Sequence, residues 1–363
     1  MAEPESGKAK GGAEASRMPS QESVTRSGAA SRWLWLGVGV GLAVAVLAAG
    51  VWRFATTRCP QVTGGAIGSI VELALPTANS RPVGIAAGPD RAVWFTEYDG
   101  NKIGRIGANG IVMEFALPPK DAQPYCITAG PDGNLWFTDA EQGAIGRMTP
   151  GGAVTDYPLP SASAFPQCVT AGPDGNLWVT EIPNAIARVT PGGVVTEFGL
   201  PEQSAPYGIA SGPDGNLWFT ELGPRDQIGR ITTAGAVTEF ALPTRNTNVA
   251  SVAGGRDGGV WFSDYNANAI GRITPSTGAM TEYHVPNPYL VLNAIAAGPD
   301  GNVWFTGGDG TIGRITPAGT ITEVALPHAG CEPTGITAGR DGDLWFAETR
   351  CDAIGRLAPT MMH

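Results

Sequence analysis

Short runs of alternating apolar and polar residues, each cut off by a Gly- or Pro-containing turn, fill most of this 363-residue chain. One stretch shows the unit. From Tyr207 it reads YGIASGPDGNLWFTELGPRDQIGRITTAGAVTEFALP, with strand-length runs at Gly208 to Ser211, Leu217 to Glu221, Ile228 to Thr232 and Ala236 to Phe240. The links PDGN and TTAG carry the residues that tight turns demand, because Pro presets φ and Gly accepts positive φ. No segment sustains a helical period over roughly 10 residues or more.

The unit recurs. Trp94, Trp136, Trp178, Trp218, Trp261, Trp304 and Trp345 follow one another at intervals of 42, 42, 40, 43, 43 and 41 residues. A repeat of about 40–45 residues holding four strands predicts one propeller blade per copy. The first copy is preceded by Gly65 to Pro76, GAIGSIVELALP, which matches only the end of a unit, whereas the last copy stops at AIGRLAP, after its third strand. The N-terminal piece is therefore expected to supply the outer strand of the seventh blade and close the ring, leaving short, protected edges. The predicted fold is all-β: a seven-bladed β-propeller over residues 66–358, with a C-terminal tail at 359–363.

Each tryptophan is preceded four residues earlier by Asp90, Asp132, Asp174, Asp214, Asp257, Asp300 or Asp341. About eleven residues later stands Arg105, Arg147, Arg188, Arg230, Arg272, Arg314 or Arg356. A catalytic group is needed once, so these sevenfold sets read as scaffold: aspartates that cap turns and arginines that tie strands or turns together.

Positions that differ between copies point to function. Eleven residues before each tryptophan lie Val83, Tyr125, Gln167, Tyr207, Ala250, Asn293 and Thr334, which should line the channel face as a mixed aromatic and polar ring. Three residues after each tryptophan lie Glu97, Asp139, Glu181, Glu221, Asp264, Gly307 and Glu348. This second ring is also expected on that face. Its acids would either bond locally to backbone amides or assemble a hard-cation site. The break at Gly307, beside Gly308, suggests open space in the sixth blade.

Ahead of the repeats, Trp33 to Trp52 runs 20 residues without a charge, enough for one membrane-spanning helix with tryptophans at both interfaces. The tail at 1–32 carries Lys8, Lys10, Arg17, Arg26 and Arg32, against Arg53 and Arg58 beyond the span. That bias favours a disordered cytoplasmic tail, a signal anchor at 33–52, a linker at 53–65 and an extracytoplasmic propeller in the periplasm or at the cell exterior. A cleaved signal and secreted chain is the competing reading. A net charge of −10, with no basic stripe, argues against a nucleic-acid partner. Five cysteines leave at least one without an intramolecular partner; Cys331 and Cys351 flank the last strand pair, and whether they join is open. Oligomeric state is not readable.

The phrases GPDGNLWFTE, AIGRITPGG and VTEFALP resemble the virginiamycin B lyase (streptogramin lyase) family across residues 66–358. The resemblance implies a seven-bladed propeller acting on cyclic depsipeptide antibiotics of the streptogramin B class. Those enzymes open the ring by elimination at the ester, using a histidine base and a magnesium ion held by glutamates. In the family's last blade Glu-Pro-His-Gly-Ile stands where this chain has Glu332-Pro333-Thr334-Gly335-Ile336; its Pro-His-Ala-Ile corresponds to Leu292-Asn293-Ala294-Ile295. Glu332 is kept and Glu348 is the best match for the second metal ligand, but both histidines are replaced. Threonine cannot serve as a base at neutral pH, and asparagine can orient a carbonyl but not take its α-proton. His328, six residues before Thr334, is the candidate substitute base; a solvated loop histidine is the plainer reading.

Three functions follow as expectations. One is a small-molecule or cyclic depsipeptide site at the channel mouth, formed by Asn293, Thr334, Tyr125, Tyr207 and Gln167, with carbon–oxygen lyase activity supported by Mg²⁺ on Glu332 and Glu348. The second is a non-catalytic propeller that binds a ligand or protein on the same face. The third is a metal-dependent lactonase.

Overall fold

The computed structural model describes residues 67–118, 122–161, 164–287 and 290–359. The tail, the span at 33–52, the linker, Cys59 and His363 lie outside the described residues. Among the described residues no helix is long and apolar enough to cross a membrane.

Seven four-stranded antiparallel sheets form the ring. Blade 1 comprises Pro82–Ala87, Val93–Glu97, Lys102–Ile106 and Val112–Ala116, from inner to outer strand. The unit read from Tyr207 is blade 4, with strands Pro206–Ser211, Leu217–Glu221, Gln227–Ile231 and Val237–Ala241. Blade 7 takes Pro333–Ala338, Leu344–Glu348 and Ala353–Pro359 from the C-terminus and Gly68–Ala74 from the N-terminus. The closing strand pairs in register from Gly68 against Pro359 to Ala74 against Ala353, as the truncated ends of the repeat array predicted. Inner strands of successive blades lie side by side all the way round, with that of blade 7 returning to that of blade 1.

Second strands are buried along their whole length. Each blade covers both of their faces, so the usual alternation of buried and wet positions vanishes there. The repeated tryptophan packs on one face. Trp218 is fully buried and stacks on Phe240 at 5.3 Å between ring centroids, with the Arg230 guanidinium 5.6 Å from its own ring. Its indole N–H donates to Asp214 Oδ1 at 3.0 Å, and the same bond recurs at every copy. The aspartate thus caps its turn, as expected, and also satisfies a buried indole. Burial works against the charge of Asp90, but the bonds from Trp94 and Arg105 hold its carboxyl below the usual range. The arginines reach onward: Arg147, Arg188 and Arg230 donate to carbonyls of Pro191, Thr233 and Pro275 in the next blade.

On the opposite face a phenylalanine lies over a third-strand glycine. A Cβ on Gly104 would sit 2.0 Å from Phe95 Cζ, so no larger residue fits there. Two disulfides bind the ring. Cys331–Cys351 forms in blade 7, and Cys126–Cys168 joins the inner strands of blades 2 and 3.

Candidate functional site

The first ring is built by a bulge. In all seven blades the inner strand loses register with the second strand next to the ring position, as between Pro82 and Ile85. A bulge leaves ladder groups unpaired and re-aims the side chain it carries. A threonine two residues after the tryptophan satisfies those groups. Thr96 Oγ1 accepts the Gly84 N–H at 2.8 Å and donates to the Tyr125 carbonyl of the next blade at 2.9 Å. Thr138 makes the same pair of bonds with Cys126 and Gln167 at 3.0 Å each. Every ring residue so held is anchored by its own blade and by the one before.

Tyr125 of blade 2 and Tyr207 of blade 4 meet through their hydroxyls. Their blades are not adjacent, so both side chains must project inward past blade 3. The Tyr98 ring stands edge-on to that of Tyr125 at 6.2 Å, and the Arg81 guanidinium lies 4.9 Å over Tyr98. One side of the channel face is therefore a wall of three tyrosines closed by an arginine. Burial pushes the phenols of Tyr125 and Tyr207 upward, so both stay neutral and act through hydrogen bonds and apolar surface. Gln167 is buried between them in the ring order, its Nε2 directed to the Phe165 carbonyl at 3.5 Å.

The other side is small and polar. Asn293 Nδ2 donates to the Pro333 carbonyl at 2.9 Å. Thr334 Oγ1 shares a 2.8 Å bond with Thr349 Oγ1 and lies 3.3 Å from the Val83 carbonyl. Both side chains at the family's histidine positions are thus tied into the ring. Blade 7 has Ala347, and blade 5 Ser263, where the other blades have the bridging threonine. Thr349 takes over part of that work, donating to the Pro82 carbonyl at 2.7 Å.

Gly307 does not open space in blade 6: Leu290 Cδ1 lies 2.2 Å from where a Cβ would stand, so leucine fills the gap. The second ring does not line an open face either. Glu97, Asp139, Glu181, Glu221, Asp264 and Glu348 are at most 1 % exposed. Each follows the covering side chain of its strand by two residues and so shares that packed face. Asp139 and Asp264 bond to backbone amides, as the local reading expects. The carboxylates of Glu97, Glu181, Glu221 and Glu348 accept no hydrogen bond. Burial, reinforced by an outer-strand carboxylate, pushes Glu97, Glu221 and Glu348 up to about 7 and Glu181 up to about 8.

Of the three remaining predicted residues, His328 and Glu348 feel each other's charge, while Glu332 is engaged by Arg350. His328 Nδ1 pairs with Glu72 of the closing outer strand, its side chain 77 % exposed, and that bond raises its pKa. Glu332, at a positive φ of 48°, gives its carboxylate to Arg350. Glu348 instead lies against the Cys331–Cys351 sulfurs, within 4.8 Å of both. Disulfide sulfur is no thiolate, and a carboxylate already matched by a guanidinium is a poor donor, so this set does not make a magnesium site as it stands. Tyr98 and Arg81 were missed because they sit in loops just outside the two rings, one residue after Glu97 and two before Val83.

Comparison with known proteins matches the virginiamycin B lyase family over residues 51–290 and 276–361. The chain belongs to the virginiamycin B lyase family. A solved streptogramin B lyase is 38% identical, with a TM-score of 0.76, and the match covers 80% of this chain and 98% of that one. A catalytically inactive histidine-to-alanine variant of virginiamycin B lyase from Staphylococcus aureus, solved with quinupristin, is 39% identical over 80% and 99% of the two chains, again with a TM-score of 0.76. Hydrazine synthase from Kuenenia stuttgartiensis, 16% identical with a TM-score of 0.66 over 79% and 98% of the two chains, shares the fold alone. No curated protein matches this family member.

Proposed function

We propose that this virginiamycin B lyase family member is an extracytoplasmic binding propeller, tethered by the span at 33–52, that holds a cyclic peptide-like ligand at the channel mouth without opening it. The observation that carries the reading is the state of the two histidine positions: Asn293 and Thr334 are non-basic and already committed to ring hydrogen bonds. The described histidines do not replace them. His328 is spent on Glu72, and His284 ends the outer strand of blade 5. Losing a general base costs roughly 10²–10⁴ in rate. Binding has its own apparatus in Tyr98, Tyr125, Tyr207 and Arg81, a rigid aromatic surface suited to a ligand with apolar rings. The inactive S. aureus variant solved with quinupristin shows, for that protein, that a missing histidine is compatible with a bound ligand.

Calorimetric titration with quinupristin, followed by mass spectrometry of the recovered ligand, tests this. Binding with the ligand still cyclic is expected, and Tyr125→Ala with Tyr207→Ala should weaken it at least tenfold. A linear product would restore the lyase reading, and unchanged affinity in the double variant would remove this site. Magnesium-assisted elimination remains the second reading because Glu332 is retained at the family position. It requires Arg350 to release Glu332, so Arg350→Ala should then create Mg²⁺-dependent ring opening.

Two disulfides in the propeller support an oxidising, extracytoplasmic setting. Protease added to intact cells should degrade the propeller, whereas protection would place it inside.

A further inference from the structure

Four blades pair a second-strand glutamate with an outer-strand one across the packed face. Three of these pairs have a cation on the outer member: Lys102 on Glu114, Arg225 on Glu239 and His328 on Glu72. Among the described residues the blade 3 pair has none. Glu197 receives the Ser161 N–H at 3.0 Å and the Ser161 hydroxyl at 2.7 Å, both neutral donors. Glu181 is 1 % exposed, and its carboxylate receives no N–H or hydroxyl bond; its polar neighbour is the Glu197 carboxyl. Blade 3 is also the copy in which Val179 replaces the covering phenylalanine and Ala187 the glycine beneath it. Glu181 borders a cavity of about 80 Å³ lined also by Ser161, Ala164, Ile182, Pro183, Asn184 and Ala185, and Glu197 adjoins this wall through its bonds from Ser161. Asn184 gives its Nδ2 to the Leu200 carbonyl at 3.3 Å, which leaves Oδ1 as its remaining polar atom.

Glu181 is buried and Glu197 half-buried, and with no cation between them their charges repel across the packed face. A shared proton or a metal relieves that repulsion. The donors here are all oxygen, which selects a hard cation, and the irregular set of carboxylate, amide and hydroxyl groups suits the flexible coordination of calcium better than the strict octahedron of magnesium. The cavity has room for an ion with some of its waters. We propose that Glu181 and Glu197 are the anionic ligands of a calcium site in blade 3, completed by Ser161, Asn184 and water, that fastens the crossing from blade 2 to the packed face of blade 3. This site lies in blade 3, whereas Glu332 lies beside blade 7.

Full-length protein stripped with EDTA and titrated with CaCl₂ tests the assignment by calorimetry and by thermal melting. Wild type should bind one ion, and at Ca²⁺ a hundredfold above Kd its melting point should rise by about 5 °C. Glu181→Gln and Glu197→Gln, each checked for native tryptophan emission, should lose at least tenfold in Ca²⁺ affinity. Glu332→Gln and Glu221→Gln should keep it, which separates this site from any metal at the channel mouth. Wild type without heat of binding or melting shift overturns the proposal, as does unchanged affinity in both blade 3 variants. A shared proton would instead give a Ca²⁺-blind protein whose Glu181→Gln variant melts higher at pH 8, and that result also overturns it.

Discussion

Trp218 and Glu221 are three residues apart on one strand and equally buried, yet the indole layer and the carboxyl layer they represent are finished very differently. The indole has its N–H matched by Asp214, its ring stacked on Phe240 and an arginine against both rings; the N–H bond and the arginine recur in every copy, and the aromatic stack in blades 1 to 5. The carboxyl layer repeats as a position but not as a solution. Amides answer Asp139 and Asp264, cations sit on the outer partners in blades 1, 4 and 7, and among the described residues neither answers Glu181. Scaffold energy therefore lies in the first layer, and individuality between blades lies in the second.

Removing an indole should do the most damage. Trp218→Ala is expected to cost about 3–5 kcal/mol, read from urea denaturation; a loss below about 1 kcal/mol would deny this layer its role. The carboxyl layer predicts a pH effect of defined sign. Glu221 holds its proton up to about 7 in the folded state, whereas the unfolded side chain releases it near the ordinary glutamate value of 4.5. Between these values the folded protein binds more protons, so stability falls as pH rises from 5 to 7. Relative to Glu221→Gln, wild type should lose about 1.4 kcal/mol more for each pH unit over that window, in EDTA. Parallel pH profiles would mean that Glu221 is not strained. Thr138→Val leaves the Cys126 N–H and the Gln167 carbonyl without their bridge and should cost about 1–3 kcal/mol. Smallest is Arg188→Ala, about 0.5–1 kcal/mol for one half-exposed cation over Trp178, and a larger loss would move weight from the indole to its cover.

The period of the tryptophans made the blade count, the strand order and the closing strand legible, because turn residues and strand lengths recur with it. The interblade disulfide was not foreseen, although its signal is present. Cys126 and Cys168 are 42 residues apart, one full repeat, and so occupy equivalent places on neighbouring inner strands. The direction of the second-ring acids was not legible. Alternation reveals a solvent side only where one exists, and these strands are covered on both faces. The space imagined at Gly307 failed for another reason: Leu290 arrives from an irregular loop whose path no repeat specifies. At the channel mouth, Tyr125 and Tyr207 could be placed on the ring from their offsets, but their meeting across blade 3 depends on ring diameter, which no local pattern encodes.

The closing strand has a cost in time. Gly68–Ala74 is made first among the blade strands and cannot pair until Ala353–Pro359 has been synthesised, so an apolar edge waits for the rest of the ring to emerge. Asp352 then receives backbone N–H groups of Asn79 and Arg81, latching the crossing that follows this strand only after both ends have met. A circular permutant that begins at the loop before Pro82 and carries the closing strand after Pro359 would make every blade contiguous, shorten the mean sequence separation of contacts and fold faster with the same native ring.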